Sequence, residues 1–488
     1  MAYIIPNYGI ITPMSSSVGL SYKILSFIRE RFVCFVAIMA AIFMSWVCAD
    51  YPSIGIDDAN IFFGYAENIV NGKGITYSNN GIPVEGCTSL AWLLICTINF
   101  LIGFDEVGVF LCSCVALMIG QMLWIEILDR LLDDSKMAKY KKVSFALYCG
   151  LLLSCPAYIT WMSITLMDTV LWGAVIALIS YVLIEELNGK SQLNPFLESL
   201  PFVVAVFVRP ESLYAVAVSL SIILASRLIN RSSLRPIIVM GLFFFISVMV
   251  LTLFRLWYFG HPFPNTYYAK VSSSLIYNLK CGMVYASQYI VSGFPTMAFA
   301  LCSVFCVMGI PRLFKTAIVE RSLNGMVPLI FWCWVLLLMM MPILTGGDHF
   351  EFHRFFQPFY PPICLLLVWG TIKLGLIDII LEKAKLSSRK VVVTVLISVV
   401  IVFGWSGRFS WAFSIMEGSV LSPEFTIAEE DYRLGAALND FFGNSVDLPA
   451  VGSVTAGGIA RSYSGRIIDL MGLNDVRVAH YPGEKTWY

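Results

Sequence analysis

The chain has 488 residues, 58% of them apolar and only 13% charged, with a mean hydropathy of +0.79. Soluble globular chains carry about 25% charged residues, so this composition excludes a water-soluble enzyme, and a 14% aromatic content excludes a disordered chain. Lysine plus arginine equals aspartate plus glutamate, 32 each, so net charge points to no nucleic acid and no acidic partner; where the charges sit is the informative quantity.

A stretch of about 20 mostly apolar residues reads as a membrane span. In chain order the candidates are Phe32–Ala49, Val107–Leu128, Val143–Trp161, Thr169–Ile184, a broken pair Pro201–Val208 and Leu213–Ala225, Ile237–Trp257, Phe294–Ile310, Met326–Leu344, Tyr360–Leu374 and Val391–Trp405. This predicts an all-α polytopic membrane bundle of about eleven spans over residues 1–406. Arg29 and Arg31 ahead of the first span would suit a signal peptide, but no convincing small-residue cleavage site follows.

Lysine and arginine concentrate in cytoplasmic loops. With the amino terminus inside, the inner loops hold twenty basic residues and the outer loops six: Lys73, Arg209, Arg255, Lys270, Lys280 and Arg354. The same bias decides Ser89–Phe104. Counted as a span, it would turn the Lys136–Lys142 cluster outward, so it is read as an interfacial or re-entrant segment of a first outer loop over residues 50–106. From Gly407 the composition changes to acidic residues followed by Gly-rich turns. Phe425–Phe442 has the pattern of an amphipathic helix, and Ala450–Val454 and Arg466–Leu470 of short strands. Residues 407–488 are therefore expected to form a small α/β domain on the outer face.

Of the 13 cysteines, most lie in apolar spans, where they serve as small hydrophobes. Cys87 and Cys281 fall in outer loops. Two free thiols are the expectation for them, a disulfide the alternative. No paired C-x-x-C suggests zinc.

Five polar clusters sit at outer ends of spans. The first, Gly55–Asn60, holds adjacent Asp57 and Asp58 ahead of an apolar stripe, Ile61, Tyr65 and Ile69, at helical spacing. Asp57 is placed to cap an interfacial helix. Capping explains one acid and not two, and paired carboxylates can supply a base and an orienting group or ligand. The Gly-rich loop behind it carries Lys73 and Glu85; turn formation is the plain reading and a headgroup contact by Lys73 the functional one. The second cluster is Asp168, at a span boundary, where an ionisable residue is a functional candidate. The third is Arg209-Pro210-Glu211 between two half-length apolar segments, for which mutual pairing is the favoured reading. The fourth is His261–Lys270, where Asn265, Tyr268 and Lys270 follow two prolines. Aromatic anchoring competes there with a phosphate contact by Lys270. The fifth is Asp348 and His349 with Arg354, an acid, an imidazole and a guanidinium within seven residues. No nucleotide-binding loop is present, so a reaction on that face needs a donor already in the membrane. A polyprenyl-phosphate sugar suits that requirement.

This arrangement resembles the GT-C class of lipid-linked-sugar glycosyltransferases. More narrowly, the run Asp57–Asn68, with Gly72-Lys73-Gly74 and Val84–Ser89, resembles the opening signature of the terminal arabinofuranosyltransferases of bacterial cell envelopes. The likeness continues in His261–Lys270, in Gly346-Gly347-Asp348 with Arg354-Phe355-Phe356, and in Tyr463–Arg466 and Asp469–Asp475. The chain departs from that family at Gly64 and Glu67, where arginine is usual, and at Cys87, where an aromatic is common. The resemblance implies a GT-C-like bundle in the bacterial inner membrane, with the site and carboxyl terminus facing the periplasm or exterior. It implies Asp57 or Asp58 as general base, with Asp57 preferred because it comes first after the span. Donor and acceptor contacts are expected from Lys73, Glu85, Asp168, Arg209, Glu211, His261, Asn265, Tyr268, Lys270, Asp348, His349 and Arg354. The sugar would be arabinofuranose or a similar pentose, and the acceptor a cell-envelope glycan or pilin. No cofactor is required with certainty. Two carboxylates and a phosphate could hold a divalent cation, and the sequence leaves the metal open. The competing readings are another GT-C hexosyl- or mannosyltransferase, a lipid-linked-sugar transporter, for which only Glu126 inside a span speaks, and a structural scaffold, which leaves the five clusters unexplained.

Overall fold

The computed structural model describes residues 32, 34–78, 81–132, 140–189, 194–272, 274–320, 323, 325–376, 410–419, 421–443 and 448–481. The expected span Val391–Trp405 lies outside these residues. The described chain is an all-α polytopic membrane bundle in which six helices are long and apolar enough to cross a membrane. They are α4 (Asp105–Leu131), α7 (Thr169–Leu187), α9 (Ser212–Ile229), α10 (Arg235–Tyr258), α13 (Phe294–Lys315, continued by a π turn to Glu320) and α14 (Val327–Leu344). Shorter apolar helices accompany them: α1 (Cys34–Cys48), α3 (Leu90–Leu101), α5 (Lys141–Leu153), α6 (Pro156–Trp161), α8 (Pro195–Val208) and α15 (Tyr360–Lys373). The stretch read as one span over Val143–Trp161 is two helices, because Pro156 opens α6 and cannot donate into the turn before it. The broken pair falls as expected on either side of Arg209, whose extended backbone ends α8.

Burial separates the centre of the bundle from its lipid face. In α7, 78% of the most apolar stretch is buried, against 11% of that in Phe294–Glu320. Helix α7 packs against α4, α8 and α9, while α8 lies along α10. Trp92, Trp124, Trp161 and Trp334 are fully buried between these helices. One end of the bundle is tied by ordinary ion pairs. Arg227 reaches both oxygens of Glu186 at 2.6 Å, and Arg130 pairs with Glu185 and with Glu126. Glu126, the span residue that spoke for transport, is thus part of a helix-end ion pair.

The opposite end carries the polar clusters. Helix α2 (Asp57–Val70) and α3 pack on each other there. Trp92 near the start of α3 donates to the Leu166 carbonyl at 3.1 Å, and Asn99 near its end meets Cys112 of α4 at 3.6 Å. Helix α3 thus contacts both the loop before α7 and the start of α4. Two more helices, α11 (Asn265–Lys270) and α12 (Leu275–Val291), follow α10. The carboxyl-terminal segment adds α16 (Trp411–Glu417), the amphipathic α17 (Ser422–Phe442), β1 (Val451–Ser453), α18 (Gly458–Ser462), β2 (Ile467–Asp469) and α19 (Val476–Ala479). The two strands pair in parallel, Val451 opposite Ile467 and Ser453 opposite Asp469. This segment packs directly on α2 through α17 and α18.

Candidate active site

A cavity of about 380 Å³ opens at this end between α2, the α8–α9 break, α10 and α11. One wall is charged. Asp58 comes from the first turn of α2, Asp168 from the residue before α7, Arg209 and Glu211 from the α8–α9 break, Arg255 from the last turn of α10, Lys270 from the end of α11, and Arg354 from the loop before α15. The apolar lining includes Val206, Leu213, Val248, Leu251 and Met341 from α8, α9, α10 and α14, of which α9 and α10 are the less buried. Charged and apolar side chains lining one cavity are what an amphiphilic ligand would meet.

The centre of the charged wall is Arg354. Its Nη1 donates to Asp58 Oδ2 at 2.9 Å and its Nε pairs with Asp348. The guanidinium sits 4.3 Å from the Phe350 ring centre and 5.2 Å from that of Phe355, a geometry in which ring faces attract a cation. Burial alone would raise the Asp348 carboxyl, but Arg354 foremost, with His349 and Lys270, holds it well below the usual carboxylate range. Arg209 Nη1 lies 3.6 Å from Asp168 and its Nε 3.4 Å from Glu211, so the Arg-Pro-Glu cluster pairs within itself and with Asp168. Burial, reinforced by Arg354, lowers the pKa of Lys270, with Asp348 and Asp58 opposing.

Asp57 and Asp58 diverge. Asp57, 8% exposed, does not line the cavity. Its Oδ2 accepts from the amides of Ala456 at 3.0 Å and Gly457 at 2.9 Å, and its Oδ1 from Gly458 at 2.8 Å. Burial pushes this carboxyl up to about 6, against the pull of the Gly458 and Gly457 amides. It is not the side-chain cap expected of it. The two acids face different partners, and among the described residues no three His, Cys, Asp or Glu side chains lie together.

The remaining expected contacts divide. Asp168, Arg209, Glu211, Lys270 and Arg354 line the cavity with Asp58, and Asp348 supports them through Arg354. Glu85 does not line it. It is buried in a bidentate pair with Arg255, whose Nε and Nη2 donate at 2.8 and 2.7 Å. His261, Asn265 and Tyr268 meet the carboxyl-terminal segment instead. The His261 and Tyr268 rings stack near His480 at 4.9 and 4.4 Å, and Asn265 Nδ2 donates to the carbonyls of Gly472 and Leu473. Lys73 is exposed and His349 half-exposed, both outside the cavity. Cys87 and Cys281 are free thiols, and Cys87 borders the cavity. Sequence reasoning missed Arg255, although a basic residue in the last turn of an apolar helix is itself a signal. It also missed Leu473 and the Ala456–Gly458 amides, for which no residue-type signal exists.

The chain is similar to the crystal structure of ArnT from Cupriavidus metallidurans bound to undecaprenyl phosphate, with a TM-score of 0.52, 12% sequence identity, and coverage of 89% of this chain and 85% of that one. No family model matches the chain, and no curated protein matches it in sequence. At 12% identity the likeness is one of fold: this chain has a GT-C-like bundle.

Proposed function

We propose that the chain is a membrane glycosyltransferase that moves a sugar from a polyprenyl-phosphate donor to an acceptor outside the cytoplasm of a bacterium. The observation that carries this reading is the single cavity that joins Asp58 to Lys270, Arg209 and Arg354 on one side and to lipid-facing helices on the other. The ArnT structure of the same fold, which holds undecaprenyl phosphate, adds support. In this reading the polyprenyl tail runs along the apolar wall and the phosphate lies against the cations. Asp58, oriented by Arg354, takes the proton from an acceptor hydroxyl as its oxygen bonds to the anomeric carbon. The bond from that carbon to the phosphate oxygen breaks, the electron pair leaves with the phosphate, and the fixed cations stabilise the charge that develops there. No step is assigned to a metal.

The sugar is proposed to be arabinofuranose or a similar pentose, on the residue likeness around Asp57–Asn68, and the acceptor an envelope glycan or pilin. The test is transfer in vesicles from lipid-linked pentose and hexose donors, compared between wild type and Asp58→Asn. Product from the pentose donor alone supports the narrow reading. Product from a hexose donor alone moves the chain to another GT-C specificity. Donor translocation without a new glycosidic bond, or full transfer by Asp58→Asn, overturns the assignment.

A further inference from the structure

We infer that Asp57 is a positioning residue and that the carboxyl-terminal segment is part of the reaction centre: the amides of Ala456, Gly457 and Gly458 grip the Asp57 carboxylate and so fix the first turn of α2 with Asp58 turned into the cavity. This inference rests on the reading of Asp58 as the base. Successive residues of a helix point about 100° apart, so holding one side chain sets the direction of the next.

The first turn of α2 has no side-chain cap of its own, since Ile56 occupies the capping position. It is held from outside on two sides. On one, the Ile56 amide donates to the Thr165 carbonyl at 3.4 Å, and Gly55, at φ +71°, leaves room that a Cβ would fill to within 2.9 Å of that same oxygen. On the other lies the backbone clasp. A Cβ on Gly457 would stand 1.8 Å from the Asp57 carbonyl oxygen, and one on Gly458 would stand 2.4 Å from the Ala428 carbonyl oxygen of α17. The Gly-Gly pair is thus pressed between α2 and α17, and only the lack of side chains lets its donors reach Asp57. The same segment docks elsewhere on α2, where Arg461 Nε donates to Glu67 Oε1 at 2.7 Å and Nη1 to Asn60 Oδ1 at 3.2 Å. Docking alone therefore does not call for the clasp. Its place, one residue before Asp58, is what positioning requires, and Leu473 of the same segment lines the cavity.

The test uses the full chain in vesicles. Turnover of a lipid-linked sugar donor, binding of undecaprenyl phosphate and amide hydrogen exchange along α2 are compared for wild type, Asp58→Asn, Asp57→Asn and Gly457→Ala. Asp58→Asn is expected to lose turnover and keep binding. Asp57→Asn and Gly457→Ala are each expected to lower kcat about 10- to 100-fold, as an ångström of misplacement does, with KM for the donor within about threefold and faster exchange confined to the first turn of α2. Wild-type kcat in Asp57→Asn, or exchange raised equally along every helix in both variants, overturns the positioning role while the Asp58 assignment stands. An inactive Asp57→Asn beside an active Asp58→Asn overturns both and makes Asp57 the base.

Discussion

Arg354 holds Asp58 at 2.9 Å through Nη1, and the same guanidinium is committed to the buried Asp348 through Nε. Both partners of the Asp348 pair are nearly inaccessible, 5% and 1% exposed at the side chain. Arg354→Ala removes the main cation from the buried Asp348 carboxylate and leaves it to His349 and Lys270, and is expected to cost about 3 kcal/mol of stability. Arg354→Lys keeps the charge but loses the fork and the ring stacking, so it should fold while losing transfer by about 10- to 100-fold. Thermal unfolding in detergent and vesicle transfer rates check both.

Asp57 gives the fold a pH dependence of definite sign. Its folded pKa of about 6 lies above the ordinary aspartate value, so the folded chain binds this proton more tightly than the unfolded chain does. The associated stability is complete below about pH 4 and is lost as pH rises through about 6. Melting curves at pH 4.5 and 7.5 should show a wild-type loss that is smaller in Asp57→Asn. Asp348, held low by Arg354, works in the opposite sense and only below about pH 4, outside that window.

Glu85 and Arg255 form a buried fork that borders the cavity without offering its acid to it. Glu85→Gln or Arg255→Met alone should cost about 3–5 kcal/mol, whereas the apolar double replacement Glu85→Leu with Arg255→Met should recover most of that loss. Unfolding of the two single variants and the double variant measures the difference. A double variant no more stable than either single one would show that the pair acts in another way.

Arg461 meets Glu67 and, at 2.5 Å, Glu106 of α4. Arg461→Ala should loosen the carboxyl-terminal segment from α2. The readout is limited proteolysis, with cleavage within residues 448–481 appearing earlier than in wild type while the bundle itself stays protected.

Much of the bundle was legible because hydropathy and span length are local properties. The break at Arg209 and the carboxyl-terminal helix and strand positions follow from the residues that form them. The cavity was half legible. Charges at span ends announced Asp58, Asp168, Arg209, Lys270 and Arg354, since ionisable groups near lipid need a reason to be there. Which of two adjacent acids faces inward depended on a backbone clasp made by residues with no polar side chain, which composition does not show. His261, Asn265 and Tyr268 were assigned to ligand because their contacts in the carboxyl-terminal segment lie some two hundred residues away.

The clasp joins residues 399 to 401 positions apart. During synthesis the six long apolar helices that lie between these residues are made before the amides of residues 456–458 can close on Asp57. On the positioning inference, a chain cut before Ala456 would hold its apolar helices yet lack the contact that turns Asp58 into the cavity.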